Sequence, residues 1–182
     1  MSASEPKLPH WDLSNVYSGL EASDFETDLE KLRQSLDDLE AYERDNGIDK
    51  LKEPPTDVAE AGRILDGILN RLNEAIRLLR TLNAYVYSFV STDSYNTLAT
   101  RRQSEIEKLQ VRFEKIYVPF EAWVGSLAPI LDRITEVAPV ANEHRLALID
   151  IADEIVVTVF VTAAPFDATK HLGVAIKAAR AI

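Results

Sequence analysis

Few residues in this chain could carry out chemistry, and they are widely spaced. Histidine, the commonest zinc ligand and general base, occurs only at His10, His144 and His171. A catalytic zinc needs three protein ligands at defined spacing, and no His-Glu-x-x-His sequence is present. His144 directly follows Glu143, but adjacent residues on a helix point about 100° apart and would not easily chelate one ion. We therefore favour a helix-surface histidine at this position and predict no metal site.

Nucleophilic and phosphate-binding chemistry also lacks a recognisable site. Cysteine is absent, which excludes thiol nucleophiles, thiolate ligands and disulfides. The sequence has no Gly-x-Ser-x-Gly elbow, and its glycines are scattered singly rather than gathered in a phosphate loop. Acidic pairs such as Asp37-Asp38 and Glu105 with Glu107 are typical of the solvated face of an amphipathic helix. We expect no catalytic residue and no cofactor in this chain.

An aromatic cluster is the remaining candidate site. Tyr85, Tyr87, Phe89 and Tyr95 surround the turn between the second and third predicted helices. Tyrosine combines apolar area with a polar hydroxyl, so the cluster could form a wall that contacts a peptide. The alternative, which we favour, is that these rings pack a helix pair together near its turn.

Charge and composition restrict the partners and the location. The chain has 20 basic and 30 acidic residues and a net charge of −10, which disfavours nucleic acid and anionic membranes as partners. Residues 1–10 lack the pattern of a signal peptide. The most apolar stretch, residues 155–164, is shorter than the roughly 20 residues that span a bilayer. These features predict a soluble, cytoplasmic protein.

The hydrophobic period predicts an all-α fold, an antiparallel bundle of long amphipathic helices. Ser23 with Glu26 resembles a capping box, and Asn46-Gly47 supplies a left-handed stop. Between these signals, apolar residues recur at alternating spacings of four and three and form one stripe. The stripe consists of Phe25, Leu29, Leu32, Leu36 and Leu39.

The second helix should begin after Thr56 or Asp57 and extend to about Val90. Gly62 and Gly67 lie within it, although each glycine costs up to ~1 kcal/mol relative to alanine. Close approach of a neighbouring helix would explain both glycines.

A third helix should contain Pro119 and end at Gly125-Ser126. Shorter helices are predicted over residues 128–137, before Pro139, and over residues 143–154.

The two ends of the chain differ from this helical domain, which we predict over residues 23–154. Residues 1–22 read as an extended arm anchored by Trp11, Leu13, Val16 and Tyr17; the alternative is a frayed end. In the tail, residues 155–182, the β-branched run 155–162 favours a short strand or a buried segment.

Several runs of residues, taken in order, resemble the amino-terminal region of oligoendopeptidase F-like proteins. Residues 8–20 (Leu-Pro-His-Trp-Asp-Leu-Ser-Asn-Val-Tyr-Ser-Gly-Leu), followed by Phe25 and Asp28-Leu29, are similar to the family's amino-terminal signature. Residues 78–86 (Leu-Leu-Arg-Thr-Leu-Asn-Ala-Tyr-Val), 91–94 (Ser-Thr-Asp-Ser) and 120–125 (Phe-Glu-Ala-Trp-Val-Gly) resemble its next landmarks. The resemblance covers roughly residues 8–150.

The resemblance implies an all-helical zinc metallopeptidase of the thimet-oligopeptidase type, which cuts short peptides inside a deep channel. It also implies that amino-terminal helices form part of the channel wall, while zinc is held only in a carboxy-terminal half that this sequence lacks. No zinc ligand or catalytic residue of the family carries over to any position here. Residues 155–182 depart from the family pattern, which suggests truncation, frameshift, fusion or a replacement cap.

Three functional hypotheses follow. The first is a non-catalytic amino-terminal domain, or truncated form, of such a peptidase, with peptides and a separate catalytic domain as partners. The second is a stand-alone helical interaction module or homodimer that associates through the apolar stripe of the first helix. The third, an intact peptidase with a cryptic site, is disfavoured by the missing zinc ligands.

Overall fold

The computed structural model describes residues 13–161, and it describes their side chains as far as residue 154. Every regular element among these residues is helical, which confirms the all-α prediction. The long helices are α1 (Ser23–Asn46), α2 (Val58–Thr92) and α3 (Thr97–Leu127). A 3₁₀ turn, Ala128–Ile130, leads into α4 (Leu131–Val137), α5 (Pro139–Glu143) and α6 (Arg145–Val161).

Local signals explain where the long helices begin and end. Gly47 has φ of +60°, and the N–H of Ile48 donates to the carbonyl oxygen of Glu43 at 2.9 Å, which completes a Schellman stop for α1. The Asp57 carboxylate accepts from the N–H of Glu60 at 3.0 Å and caps α2. Asn96 caps α3 in the same way. The starts of α1 and α2 and the stop of α1 therefore agree with the sequence prediction.

The described chain divides into two compact units. The first contains residues 13–36 with Glu74–Val111, and the second contains Asp37–Asn73 with Arg112 and the residues that follow it. In the first unit the start of α1 contacts the end of α2, as expected for antiparallel neighbours. In the second unit Tyr42 of α1 contacts Ile64 of α2 in the same antiparallel sense. The predicted domain boundaries at residues 22 and 154 stay predictions.

The glycines of α2 mark close approaches within the second unit. A Cβ added at Gly62 would lie 3.2 Å from the Cβ of Ala138 and 3.3 Å from a methyl group of Val137. A Cβ at Gly67 would collide with the hydroxyl end of Tyr42. Helix packing therefore explains why these positions lack a side chain despite the cost to helix propensity, as the sequence suggested.

Two local predictions were wrong. The strand expected over 155–162 fails over 155–161, because α6 begins at Arg145 and no glycine or proline interrupts it before Val161. Strand propensity depends on context, so a helix already begun can override it. Val16, predicted as an anchor, is 41% exposed, whereas Tyr17 is buried. The helix predicted to end before Pro139 does so, at Val137, and Pro139 then opens a further short helix, α5, because proline fits the first helical position.

Some predictions concern residues outside the described part of the chain. These are the anchor Trp11, the histidines His10 and His171, and the tail beyond Val161.

The stripe predicted on α1 forms part of the hydrophobic core. All five of its side chains, Phe25, Leu29, Leu32, Leu36 and Leu39, have no exposed surface in the single chain. A homodimer built on this stripe, one form of the interaction-module hypothesis, would first require these side chains to leave the core. The stripe is therefore not a docking face in the folded chain.

We expect Leu32→Ala to lower the free energy of unfolding by about 2–5 kcal/mol, because it removes a fully buried side chain and leaves a cavity. Urea denaturation monitored by circular dichroism measures this change. Leu146→Ala is the matched control, since Leu146 is 76% exposed and should change stability by less than about 0.5 kcal/mol. Equal effects of the two substitutions would contradict the burial assignment.

Candidate functional site

The four aromatic residues of the predicted cluster separate into two pairs. Tyr85 is buried and Phe89 is half-buried, and their rings pack edge to face with centroids 5.1 Å apart. Tyr87 is 61% exposed and Tyr95 is 92% exposed. For the three residues on α2 the division follows helix geometry, because residues four apart share a face while a residue two positions away points to a different one; Tyr95 lies in the turn between α2 and α3. Only half of the candidate site therefore faces solvent.

The buried pair holds the segment that precedes α1. The ring of Tyr17 packs edge to face on Phe25, with centroids 5.4 Å apart, and on Tyr85, at 5.0 Å. The Tyr85 hydroxyl donates to the carbonyl oxygen of Tyr17 at 3.0 Å. The Tyr17 hydroxyl in turn donates to Asp28 of α1 at 3.0 Å. Tyr85 and Phe89 therefore serve in packing, the interpretation favoured from the sequence, and do not form an open peptide-contact surface.

The electrostatics of this cluster favour neutral tyrosines and an ionised carboxylate. Burial, and then the hydrogen bond to Asp28, raise the pKa of Tyr17 far above its usual range. Burial likewise raises the pKa of Tyr85. The hydrogen bond from Lys31 and then the one from Tyr17 lower the pKa of Asp28. Tyr17 and Tyr85 therefore remain protonated donors and cannot act as bases at neutral pH.

A surface depression of about 370 Å³ lies beside Tyr17. The Asp24 carboxylate within it accepts from the backbone N–H of Ser18 at 2.9 Å and from the Ser18 hydroxyl at 3.0 Å. The Asp28 carboxylate accepts from Tyr17 and Lys31. These carboxylates hold the segment before α1 in place. The depression is lined by Val16, Tyr17, Ser23, Asp24, Thr27, Asp28 and Lys31.

Arg102 is a structural residue that the sequence analysis missed. Its side chain is 6% exposed, and its Nε donates to the carbonyl oxygen of Leu20 at 3.0 Å. The same guanidinium bonds with Glu105 at 2.9 Å and with the carboxylate of Glu26, and it lies over the ring of Phe25. Glu26 therefore contributes an ion pair where the sequence predicted a capping box.

A helical stripe could have revealed Arg102. It lies between the buried residues Ala99 and Ile106, at spacings of three and four, so it occupies a core position of α3. The acidic pairs noted in the sequence differ in exposure. Asp37 and Asp38 are exposed, as predicted, whereas Glu105 is half-buried against Arg102.

The described residues contain no cluster of potential metal ligands. Between residues 13 and 161, no group of three or more histidine, aspartate or glutamate side chains lies close enough to hold one. His144 is half-buried, not on the open surface, and its Nε2 lies 3.1 Å from the side-chain nitrogen of Asn73 on α2. This contact ties α2 to the turn between α5 and α6.

Comparison with known proteins adds no family or relative. No protein-family model, curated protein or solved structure matches the chain.

Among the helices of residues 13–161, none combines the length and apolar character needed to cross a bilayer.

Tyr17→Phe should lower the free energy of unfolding by about 1 kcal/mol at pH 7, because it removes the hydroxyl that bonds Asp28 while keeping the ring. The pKa of Asp28 is lower in the folded chain than its ordinary value of 3.8. The stability linked to Asp28 is thus present above that value and is lost as pH falls through the lower folded value. Denaturation curves at pH 7 and below about pH 4 should show the cost shrinking in acid. A cost that grows in acid would contradict this pairing.

Arg102→Met should lower the free energy of unfolding by about 2 kcal/mol, because the Leu20 carbonyl and the Glu26 carboxylate lose this donor, while Glu105 keeps its bond from Arg33. Thermal and urea unfolding both measure the change. Arg101→Met is the matched control, since Arg101 is exposed and its loss should cost less than about 0.5 kcal/mol. If Arg102→Met were as stable as the control, the pairing would not be structural.

Proposed function

We propose that the chain is a non-catalytic amino-terminal helical domain of an oligoendopeptidase F-like zinc metallopeptidase, where it forms part of a peptide-channel wall. The observation that supports this most is where the residues of the resemblance lie. Tyr17, Tyr85 and Trp123 come from three of its four segments and are buried, whereas residues 91–94, the fourth segment, are exposed. Apolar core positions are those that proteins with a shared fold keep. A cytoplasmic location is part of the same proposal.

In this proposal the domain supplies shape and contact surface, and a separate catalytic chain or half supplies zinc. The described residues contain hydrogen-bonded carboxylates and neutral tyrosines but no grouped metal ligands. The exposed tyrosines Tyr87 and Tyr95 are the described members of the aromatic cluster that a peptide can reach. Their rings give apolar area with a hydroxyl that can bond a peptide backbone.

The purified chain should contain no stoichiometric zinc and should not cleave a quenched fluorescent peptide. Metal analysis and a fluorescence assay with added zinc measure both properties. If a neighbouring gene encodes a His-Glu-x-x-His protein, adding that protein should produce cleavage. Zinc binding with turnover by this chain alone would overturn the proposal.

Peptide contact can be tested separately by fluorescence anisotropy with labelled peptides of about ten residues. Tyr87→Ala and Tyr95→Ala should each weaken binding several-fold, because each removes an exposed ring that loses contact area with the peptide. Leu146→Ala removes a comparably exposed apolar side chain from α6 and should leave binding unchanged. If neither tyrosine substitution changes the binding affinity, the proposal that Tyr87 and Tyr95 contact the peptide is wrong.

A self-associating interaction module remains the alternative. With the α1 stripe buried, association would need other faces, and Val118 and Leu146 are exposed apolar side chains of the second unit. Light scattering distinguishes the two functions, since we expect a monomer. A stable dimer that Val118→Asp or Leu146→Asp disrupts would favour the interaction module.

A further inference from the structure

Glu43 continues the core stripe of α1, is half-buried, and has one carboxylate oxygen without a hydrogen-bond partner. The buried stripe of this helix continues through Leu36 and Leu39, and Glu43 takes the next position at a spacing of four. Its Oε1 atom is buried and makes no hydrogen bond within the described part of the chain. A buried charge without a partner is costly, so this position favours the neutral acid.

The charges that act on Glu43 make ionisation harder still. Glu40 lies one turn earlier on α1, and Asp49 lies in the connection that follows the helix; both are negative. Glu43 is also in the last turn of α1, where the helix dipole is negative. None of these groups compensates a carboxylate at residue 43.

Two arginines on neighbouring helices bond with other acids of α1. From α3, Arg112 bonds with Glu40 at 2.8 Å and with Asp37 at 2.6 Å. From α2, Arg71 bonds with Asp38 at 2.8 Å and lies over the ring of Tyr42. Each guanidinium is directed to another acid of α1.

Burial, and then the negative charges of Glu40 and Asp49, raise the pKa of Glu43 to about 7. The carboxyl group therefore changes charge near neutral pH, far above the usual range for glutamate.

The turn that carries Glu43 also anchors the connection to α2. The Glu43 carbonyl oxygen accepts from the N–H of Ile48 at 2.9 Å, and the Ile48 side chain is buried. Farther along, the N–H of Leu51 donates to the hydroxyl of Ser126 on α3 at 2.9 Å. Hydration of the buried Oε1 atom of an ionised Glu43 requires the side chain to move away from the core, and a shift of this turn releases these anchors.

We propose that Glu43 makes the last turn of α1 and residues 47–51 a proton-controlled joint, which is closed when the carboxyl is protonated and opens when it ionises. The closed state binds the proton more tightly than the open state, in which Glu43 is hydrated. Opening therefore increases as pH rises from the ordinary value near 4.5 toward 7, and it levels off above that. The joint is thus tight in mild acid and loose at neutral and alkaline pH.

Amide hydrogen exchange on the full chain, followed by NMR between pH 5 and pH 8, tests the joint. The protection factors of Ile48 and Leu51, corrected for the intrinsic exchange rate, should fall on the order of tenfold between pH 5 and pH 7. Glu43→Gln should keep both amides protected across the range, because the neutral amide has nothing to ionise. Asp49→Asn should move the fall to lower pH by removing one like charge.

Asp45→Asn is the matched control, because it removes a negative charge from the same turn at an exposed position and should leave the fall unchanged. Carbon-detected titration of Glu43 supplies an independent readout of its charge. The proposal is overturned if Glu43→Gln shows the same loss of protection as the unmodified chain. It is also overturned if Glu43 titrates near 4.5, or if it titrates near 7 while both amides stay protected.

Discussion

The apolar stripe of α1 must be covered on every turn, and this requirement constrains the elements around it. Its five side chains have no exposed surface, and a fully buried leucine contributes ~1.5–3 kcal/mol. Within the first unit the cover includes Tyr17 and Tyr85, whose rings close around Phe25. Within the second unit, Gly67 lets α2 come close to Tyr42 of α1. The positions of Tyr17 and Tyr85 and the lack of a side chain at Gly67 thus accompany the burial of one helix face.

Two charged residues interrupt this apolar packing, and they differ in whether the surrounding groups pair with their charge. Arg102 occupies a core position of α3, where a backbone carbonyl, two carboxylates and an aromatic ring surround its guanidinium. Glu43 occupies a core position of α1 with an unpartnered oxygen and two neighbouring acids. A buried charge that is fully paired fixes one arrangement, whereas an unpaired one makes the arrangement depend on its protonation. Arg102 therefore stabilises the packing around it, whereas in our proposal the packing around Glu43 depends on whether its carboxyl group is protonated.

The proposed role as a channel-wall domain matches this distribution of chemistry. The described polar groups are used mainly to hold segments together: Asp24 binds Ser18, Asp28 binds Tyr17, and Asp57 caps α2. A channel wall requires well-packed residues beneath its surface and exposed residues that can contact a peptide. In this proposal the packed rings of Tyr85 and Phe89 support the wall, and the exposed rings of Tyr87 and Tyr95 face the peptide.

The sequence by itself determined the three long helices, because period, caps and glycine stops act over a few residues. The stripe from Phe25 to Leu39, the Asp57 cap and the Gly47 stop were all predictable in this way. Only the tertiary structure decided which charged residues enter the core and what they meet there. Arg102 and Glu26 are 76 residues apart, and no local pattern pairs them. The run after Glu154 shows the same limit, since its β-branched residues favour a strand locally while the helix begun at Arg145 continues through Val161.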